Sequence, residues 1–242
     1  MRSLGFVFAT LVGNLYTVVG SAFFATMTIL GAWTPDSVRW VFSMARWWSR
    51  GLLASSGLRL EVSGGSTLDS TGCYVFMPNH QSLYDIPALI ASLPVPALFF
   101  AKRSLFQIPI FGWALKAGGY ISVDRRDRTH AKESFAKAVK TLQMGSSTVI
   151  FPEGTRSYDG ALLPFERGGF LLAIKSGAAV VPVGIQGSLE VRKRGGWKIT
   201  PGKIKVNYGE PIATSGFNVR SRRELAEAVR KEITLLAELA EG

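Results

Sequence analysis

The N-terminal part of the chain contains its longest apolar stretch. From Leu4 to Trp33, 30 successive residues carry no formal charge. As a single helix this stretch would be roughly 45 Å long, which exceeds the hydrocarbon core of a bilayer, about 30 Å thick. Gly13, Asn14 and Gly20 interrupt the apolar pattern. The sequence therefore predicts membrane association but leaves open whether the segment crosses the bilayer, dips in and returns, or lies obliquely in one leaflet.

The residues that follow this stretch indicate its orientation. Basic residues close behind an apolar segment are typical of the cytoplasmic side of a membrane, and the chain has four of them, Arg39, Arg46, Arg50 and Arg59. A cleaved signal peptide is the alternative, because Gly20-Ser21-Ala22 is similar to a cleavage site after an apolar core. The apolar run continues beyond that point. We therefore expect a retained segment, with the rest of the chain at the cytoplasmic face of the inner (plasma) membrane.

The charge balance indicates an anionic partner. The formal net charge is +11, with 28 Lys and Arg against 17 Asp and Glu among 242 residues. Charge alone does not choose between nucleic acid, phospholipid and an acidic protein. The uncharged N-terminal stretch favours an anionic phospholipid membrane, and no recognisable nucleic-acid-binding module is present, so we expect no nucleic-acid partner. The single cysteine, Cys73, excludes an internal disulfide.

A second helix is predicted after Thr34-Pro35-Asp36. Its apolar residues recur at helical spacing, its arginines share another face, and Trp40, Trp47 and Trp48 suit the headgroup boundary of a membrane. The alternative is an ordinary amphipathic helix that packs on the core and exposes a basic face to water. We assign residues 1–57 to N-terminal membrane-anchoring helices and residues 58–242 to one α/β domain.

From Leu58 onward, short strand-like runs alternate with helical patterns. The strand-like runs, rich in branched or aromatic residues, are Leu58 to Val62, Cys73 to Met77, Ala97 to Ala101, Tyr120 to Val123, Thr148 to Phe151, Val180 to Ile185 and Ile204 to Tyr208. The helical patterns are Ile86 to Ser92, Ser104 to Lys116 with an interruption at Pro109, Thr129 to Met144, Glu166 to Ser176, and a tail opened by a capping box at Ser221 to Glu224. This alternation predicts an α/β fold, a mixed β-sheet layered with helices, with functional residues at strand ends.

The first motif, Asn79 to Asp85, directly follows the second strand-like run. His80 is one of two histidines in the chain and is a candidate proton-transfer base near neutral pH. Residues five apart on a continuous helix point about 140° apart, so His80 and Asp85 would not meet on one. Ser82 to Asp85 is similar to a capping box, and Pro87 suits a first helical turn. We therefore predict His80 in a loop and Asp85 at a helix start, from which its carboxylate reaches back to the imidazole.

Three further motifs lie near predicted strand ends. Phe151 to Ser157 reads Phe-Pro-Glu-Gly-Thr-Arg-Ser and combines a glycine with Arg156, whose planar guanidinium suits phosphate. Taken alone, this stretch predicts either an anion-binding turn or a simple turn with a local Glu153 to Arg156 ion pair. The other two motifs are Gly119 to Arg125, which also ends in an arginine, and Val180 to Val183, an apolar segment with a proline.

In this order and at these separations, the four motifs resemble those of the membrane-associated 1-acylglycerol-3-phosphate acyltransferase family. That family uses N-H-x-x-x-x-D, G-x-x-x-x-x-R, F-P-E-G-T-R and a V-P-V-like block, and the first and third are matched without substitution over a resemblance from Leu58 to Glu210. The resemblance implies transfer of a fatty acyl group from a thioester, acyl-CoA or acyl carrier protein, to the 2-hydroxyl of lysophosphatidic acid. The product would be phosphatidic acid in phospholipid biosynthesis, and no cofactor is implied.

The resemblance also implies roles for individual residues. His80 and Asp85 would form the catalytic pair. The glycerol phosphate would be held by Lys102, which stands beside Arg103, and by Arg125, Glu153, Gly154, Thr155 and Arg156.

The residues themselves agree with such chemistry. A hydroxyl near neutral pH is a poor nucleophile, so a base such as His80 would remove its proton as it attacks the thioester carbonyl. The sequence has no G-x-S-x-G elbow, and Cys73 lies in a predicted buried strand, where a thiol is usually inert, so we expect no covalent acyl-enzyme. Two histidines without a cysteine pair do not predict a zinc site, and His130 is expected to be solvated.

Two alternatives to this function stay open. The first keeps the chemistry but changes the acceptor to another lysophospholipid or an amino-acid lipid. The second is a non-catalytic membrane adaptor whose basic residues bind anionic lipid. The run Arg192-Lys193-Arg194, before Gly195-Gly196, is most simply a solvated hairpin tip, and a contact with anionic lipid or an acidic acyl carrier protein is the other interpretation.

Overall fold

A seven-stranded sheet forms the centre of the computed structural model, which describes residues 2–34, 37–124 and 127–238. The strands are β1 (Leu58–Ser63), β2 (Tyr74–Pro78), β3 (Ala97–Lys102), β4 (Ile121–Val123), β5 (Ser147–Val149), β6 (Ala179–Gln186) and β7 (Gly202–Tyr208). They lie in the order β1-β7-β6-β2-β5-β3-β4, and all neighbours pair in parallel except β6 and β7, which are antiparallel. The predicted mixed sheet is confirmed, and each predicted strand forms with its ends shifted by one or two residues.

Helices cover both faces of this sheet. They are α1 (Arg2–Gly31), α2 (Ser37–Ser55), α3 (Asp85–Ser92), α4 (Phe111–Ala117), α5 (Arg128–Gln143), α6 (Arg167–Ser176), α7 (Ser188–Val191) and α8 (Arg222–Leu236), with a short 3-10 helix at Arg103–Gln107. The interruption expected at Pro109 is confirmed, because the 3-10 helix ends before it and α4 begins after it. The four-residue helix α7 was not predicted, since it is too short to produce a helical period in the sequence.

The two faces of the sheet bury separate hydrophobic clusters. One cluster joins α2 and α3 to the sheet and includes Leu53, Phe76 and Leu89. The other joins α5, α6 and α8 to the opposite face and includes Met77 and Phe170. Every residue of the central strand β2 is buried, as expected for a strand covered on both faces.

The carboxyl ends of β2, β5, β3 and β4 lie side by side at one edge of the sheet, because these neighbouring strands are parallel. His80 follows β2, Lys102 ends β3, and the stretch Phe151 to Ser157 follows β5. Two of the four sequence motifs, together with Lys102, therefore meet at this edge. Arg125, at the end of the motif after β4, lies outside the described residues.

The apolar N-terminal stretch forms one continuous helix, α1. Among the described residues, Gly5–Gly31 is the one helical segment long and apolar enough to cross a membrane, with 27 residues, a mean hydropathy of 1.6 and 22% of its apolar window buried. The helix packs along α2 and α4. Glycines permit its close approach, since a Cβ atom on Gly13 would lie 2.6 Å from the Ser56 hydroxyl and one on Gly51 would meet the Tyr16 ring.

Polar groups on α1 bind the backbone of the loop between α7 and β7. The Thr10 hydroxyl donates to the carbonyl of Ile199 and accepts from its N–H, both at 3.1 Å. The Asn14 side-chain amide donates to the carbonyl of Trp197 at 2.9 Å. These contacts place the first half of α1 against the loop between α7 and β7.

Helix α2 combines the two predicted behaviours. It buries Val41, Leu52 and Leu53 against the core, so it is an integral part of the folded domain and the core extends across residue 57. Trp47 on the same helix remains 59% exposed, and the outward side chains of α1 are apolar over most of its length. Both helices therefore expose apolar side chains.

Both predicted capping boxes differ from the structure. Helix α3 begins at Asp85 after Tyr84, which makes no side-chain capping bond, and the Ser82 hydroxyl donates to the Arg192 carbonyl 110 residues away. Only the carboxylate half of that box forms, from Asp85 to the Ser82 N–H. At α8 the Ser221 hydroxyl binds the backbone of Asn218 and makes no capping bond to the helix. In both cases a tertiary or loop contact replaces the local hydrogen bond.

Candidate active site

Asn79 fixes the point at which the chain leaves the central strand. Its side-chain amide donates to the carbonyl of Ile185 at 2.9 Å, and its side-chain oxygen accepts the Ile185 N–H at 2.7 Å. Asn79 is 1% exposed, so both bonds are shielded from water. The side chain thus continues the pairing of β2 with β6, in which Pro78 lies beside Val183, and holds the start of the next loop.

Asp85 is the buried centre of that loop. Its Oδ2 atom accepts hydrogen bonds from the His80 ring at 2.8 Å, the Gln81 N–H at 2.7 Å and the Ser82 N–H at 2.8 Å. Its Oδ1 atom is buried without a hydrogen-bond partner among the described residues. Three donors therefore converge on one oxygen of this side chain.

His80 is oriented by this carboxylate. Because Oδ2 acts as an acceptor, the ring nitrogen facing it, Nδ1, carries the hydrogen, and Nε2 is left as the basic nitrogen. The imidazole also stacks on Phe151, with ring centroids 3.8 Å apart and an angle of 24° between the planes. Its side chain is 13% exposed and lines the large cavity described below. The predicted contact between His80 and Asp85 is confirmed in geometry.

Glu153 joins the loop of His80 to the turn after β5. One carboxylate oxygen accepts the His80 N–H at 2.6 Å, and the other accepts the Leu163 N–H at 2.9 Å. Burial raises the pKa of Glu153 to about 7, although both backbone N–H groups favour its ionised form. The local ion pair with Arg156, one of the two predictions for this turn, is wrong. The carboxylate faces the protein backbone, which also differs from the contact with glycerol phosphate that the family resemblance implies.

The turn after Glu153 has the geometry expected of its glycine. Gly154 has a φ of 71°, and its N–H donates to the carbonyl of Phe151 at 3.0 Å. Thr155 is exposed and Arg156 is half-buried. The Ser157 N–H donates to the His80 carbonyl at 2.8 Å, which ties the end of the turn to the same loop.

A cavity of about 1330 Å³ opens at His80. Its walls are mainly apolar and come from α1, α2, α3, β3, α4 and α6, with Phe24, Ala45, Ile90, Phe99, Leu115 and Leu172 among them. Gly154 and Lys102 also line it, whereas Arg156 does not. The structure therefore brings His80, Lys102 and Gly154 to one space, and Arg156 is not among the residues that line it.

Lys102 and Arg103 differ in their ion pairs. Arg103 lies 3.6 Å from an Asp124 carboxylate oxygen and 3.5 Å from one of Asp127. In the described part of the chain Lys102 has no carboxylate within ion-pair distance. Of these two neighbouring cations, Arg103 is thus engaged by carboxylates of the protein and Lys102 is not.

Arg192 and Arg194 lie close to Arg156. Both are half-buried. Burial is the main cause that lowers the pKa of Arg156, the positive charges of Arg194 and Arg192 lower it further, and Asp85 and Tyr158 oppose that shift. The loop connects the antiparallel strands β6 and β7, as a hairpin tip does, but these two side chains are not freely solvated. A short basic run near glycines has the same sequence pattern whether its side chains are solvated or packed against another loop. The sequence therefore did not identify the position of Arg192 and Arg194 beside Arg156.

Two other side chains were also assigned surroundings from sequence. His130 is half-buried, and its Nε2 atom forms a hydrogen bond with the Ser122 hydroxyl at 3.1 Å, so the prediction of a solvated ring is wrong. Cys73 precedes β2 and its Sγ donates to the Leu142 carbonyl at 3.2 Å. Partial burial raises the pKa of this thiol, which keeps it protonated and unreactive.

Known proteins share both the sequence and the architecture. Residues 59–186 match the acyltransferase family. A 1-acyl-sn-glycerol-3-phosphate acyltransferase of the Arabidopsis thaliana chloroplast is 34% identical over 71% of this chain and 49% of its own length. The alpha enzyme of that name from Mus musculus is 31% identical over 76% of this chain and 66% of its own. This chain thus spans about half of the plant relative and about two thirds of the mouse one.

Two bacterial proteins match over greater lengths. The Escherichia coli 1-acyl-sn-glycerol-3-phosphate acyltransferase is 28% identical over 93% of this chain and 90% of its own. The crystal structure of PlsC, the 1-acyl-sn-glycerophosphate acyltransferase of Thermotoga maritima, has a TM-score of 0.84 with 25% identity, and each chain is covered completely. With the sheet-edge geometry of the His80 and Asp85 pair, these matches show that the chain belongs to the acyltransferase family and is similar to its 1-acyl-sn-glycerol-3-phosphate acyltransferases.

Proposed function

We propose that this protein transfers a fatty acyl group from an acyl thioester to the 2-hydroxyl of a 1-acylglycerol 3-phosphate, with His80 as general base. The observation that carries the proposal is the bond from His80 Nδ1 to Asp85 Oδ2, which leaves Nε2 unprotonated beside the apolar cavity. The names of the relatives supply the substrate class, and the geometry supplies the base.

The reaction then follows from the properties of this pair. Nε2 of His80 accepts the proton of the 2-hydroxyl as its oxygen attacks the thioester carbonyl carbon. The Asp85 carboxylate stabilises the imidazolium that forms. When the tetrahedral intermediate collapses, the carbon–sulfur bond breaks, the thiolate leaves, and His80 returns the proton to the sulfur. No side chain of the enzyme is acylated, and no cofactor enters this sequence of steps.

The cavity suits the apolar parts of the substrates. At about 1330 Å³ it is larger than typical small-molecule pockets of about 300–1,000 Å³, and most of its lining is hydrophobic. Ser21, Phe24, Ala25 and Thr28 of α1 form part of its wall, so the helix proposed to enter the membrane also borders the space for acyl chains. A lipid therefore has an apolar route from the bilayer to His80.

The phosphate of the acceptor requires cations near the base. Lys102 lines the cavity, and Arg156 lies in a turn bonded to the backbone of His80 through Ser157. We assign both to the glycerol phosphate, along with Gly154, Thr155 and Arg125, the last of which lies outside the described residues. Glu153 acts by holding the loop of His80.

The same arrangement supports work at a membrane surface. Helices α1 and α2 expose apolar side chains and also line the cavity at His80, together with Lys102 and Arg103. Partners of the protein would be an anionic phospholipid membrane, lysophosphatidic acid, and acyl-CoA or acyl carrier protein. The excess of arginine after α1 favours the cytoplasmic face of the inner (plasma) membrane.

A transfer assay with the purified full chain in mixed micelles tests this function. Acyl-CoA and acyl carrier protein donors are each combined with lysophosphatidic acid, other lysophospholipids and an amino-acid lipid. We expect phosphatidic acid as the product of highest kcat/KM. Transfer to acceptors without a phosphate monoester at an equal rate would contradict the proposed acceptor.

A matched pair of histidine variants tests the base. His80→Ala should lower kcat by about 10²-fold or more. His130→Ala, at the other histidine, should keep the kcat of the wild type. Circular dichroism shows whether both variants are folded. Full activity in folded His80→Ala would refute the proposed mechanism, and a membrane adaptor without enzymatic activity would show no transfer in any variant.

A further inference from the structure

The side chain of Arg194 is held in place next to Arg156. Its Nη1 atom donates to the Arg156 carbonyl at 2.9 Å, and its guanidinium carbon lies 4.1 Å from the centre of the Tyr158 ring. A hydrogen bond and a cation–π contact together limit the positions open to this long side chain. Arg194 lies outside the four sequence motifs, so neither the motifs nor the family resemblance assigns it a role.

Arg192 links the same loop to the catalytic loop and to α1. Its carbonyl accepts the Ser82 hydroxyl at 2.8 Å, its Nε donates to the Gly196 carbonyl at 2.8 Å, and its Nη1 lies 3.4 Å from the side-chain oxygen of Asn14. On the other side, the backbone of Ser157 binds the His80 carbonyl. Both arginine-bearing loops are thus bonded directly to the loop that carries the base.

The side chains of Arg156, Arg192 and Arg194 form a cluster of three positive charges. In residues 2–34, 37–124 and 127–238, no carboxylate forms an ion pair with any of the three. The carboxylate of Asp85 raises the pKa of Arg156, but that carboxylate is already engaged by three donors. Guanidinium groups gathered in a half-buried place repel one another, and an anion with several acceptor oxygens would relieve that repulsion.

We propose that Arg194, supported by Arg192, completes with Arg156 a binding site for the phosphate monoester of the acyl acceptor. This proposal rests on the proposed function and adds a specificity-determining residue to it. In the acceptor, only two carbon atoms and one ester oxygen separate the reacting hydroxyl from phosphorus. A phosphate that reacts at His80 must therefore lie close to the catalytic loop, and both arginine-bearing loops are bonded to that loop.

The position of the cluster beside α1 agrees with a lipid ligand. Asn14, which Arg192 contacts, lies on a helix whose outward residues Leu11, Leu15 and Val18 are each more than 60% exposed. Trp197, bonded through its carbonyl to the same Asn14, is 61% exposed. Exposed aromatic and basic side chains next to an apolar helix are typical of the headgroup level of a membrane, where the acceptor presents its phosphate.

Kinetics of Arg194→Gln against a matched neighbour test the site. Loss of one guanidinium contact to a phosphate should raise the KM for 1-oleoylglycerol 3-phosphate by roughly tenfold or more, with kcat nearly unchanged. Arg194→Lys keeps the charge and should recover part of the loss. Lys193→Gln removes the same charge from an exposed side chain of the same loop and should leave KM as in the wild type.

A binding measurement separates the acceptor from other sources of phosphate. Glycerol 3-phosphate is the soluble headgroup of the acceptor. It should raise the thermal unfolding midpoint of the wild type and of Lys193→Gln in a saturable way. The same increase for Arg194→Gln should require about tenfold higher concentration. Glycerol serves as the uncharged control. Flotation with phosphatidylcholine vesicles containing phosphatidylglycerol should be the same for all three proteins.

Three results would overturn the proposal. In the first, Arg194→Gln lowers kcat without changing KM, as expected if Arg194 only holds the turn of Arg156. In the second, Arg194→Gln binds glycerol 3-phosphate normally and loses binding to anionic vesicles, which assigns the cluster to bulk lipid. In the third, Lys193→Gln and Arg194→Gln have equal effects. A wild type that binds glycerol 3-phosphate but transfers no acyl group would refute the proposed function and leave the phosphate site supported.

Discussion

The side chain of Asn79 and the backbone of Ile185 exchange two hydrogen bonds, 2.9 and 2.7 Å long, as two residues of paired strands do. Asn79→Ala would leave the N–H and the carbonyl of Ile185 buried without partners, and each such group costs roughly 1–3 kcal/mol. We expect the free energy of unfolding to fall by at least about 2 kcal/mol, measured by denaturant titration in micelles. Asn218→Ala, at an exposed asparagine, should cost less than about 1 kcal/mol. Equal effects would show that the pair adds no stability.

Asp85→Asn tests the orientation of the base. The asparagine amide oxygen can take the place of Oδ2 toward the His80 ring and the N–H groups of Gln81 and Ser82, but it carries no negative charge with which to stabilise an imidazolium. We expect kcat to fall by about 10²–10⁴-fold. Steady-state acyl transfer measures the change, with Asp69→Asn, at an exposed carboxylate, as the control of equal charge. Wild-type kcat in a folded Asp85→Asn variant would rule out a role for this carboxylate.

Glu153 should make stability depend on pH. Burial raises its pKa from the ordinary value of 4.5 to about 7, so the folded protein binds this proton more tightly than the unfolded chain does. The free energy of unfolding contributed by this group therefore falls as the pH rises from about 4.5 to about 7, and it is constant above that range. Glu153→Gln removes the titration.

Thermal unfolding of wild type and Glu153→Gln between pH 4 and pH 8 checks this effect. As the pH rises from about 4.5 to about 7, the thermal unfolding midpoint of the wild type should fall relative to that of Glu153→Gln. At pH 8 the variant should also have a lower kcat, since its amide cannot accept from both His80 and Leu163. A midpoint difference that is the same at every pH would contradict the raised pKa.

Ala45 offers a test of where the acyl chain lies. It is on α2 and lines the cavity, so Ala45→Phe would fill part of the space with an aromatic ring. If the acyl chain of the donor occupies the space beside Ala45, the ratio of kcat/KM for long-chain thioesters to kcat/KM for short-chain thioesters should fall. Loss of one or two methylene contacts corresponds to a fall of roughly tenfold. Ala54→Phe, on the same helix but exposed, should leave the ratio unchanged. An unchanged ratio in Ala45→Phe would place the chain elsewhere.

The sequence predicted what depends on short stretches of chain. The contact of His80 with Asp85 followed from a loop entering a helix, which is decided within six residues, and the strands followed from local composition. The mixed topology, with β6 and β7 antiparallel, agrees with the alternation of strands and helices.

The parts that were missed depend on residues distant in the chain. Asn79 binds a residue 106 positions away, and Arg194 binds one 38 positions away. Such pairs leave no periodic signal, because their geometry is fixed by the order of strands in the sheet. The capping box predicted at Ser82 is wrong for the same reason, because the Ser82 hydroxyl donates to the distant carbonyl of Arg192.

The reciprocal hydrogen bonds between Thr10 and Ile199 have a practical consequence for anyone preparing this protein. Trimming the first helix to obtain a water-soluble catalytic fragment would strip both backbone groups of Ile199 of their partner and loosen the segment that carries Arg192 and Arg194. Under the proposed function, a fragment made in that way would bind the phosphate of the acceptor more weakly. The helix proposed to enter the bilayer would then also support recognition of the acceptor.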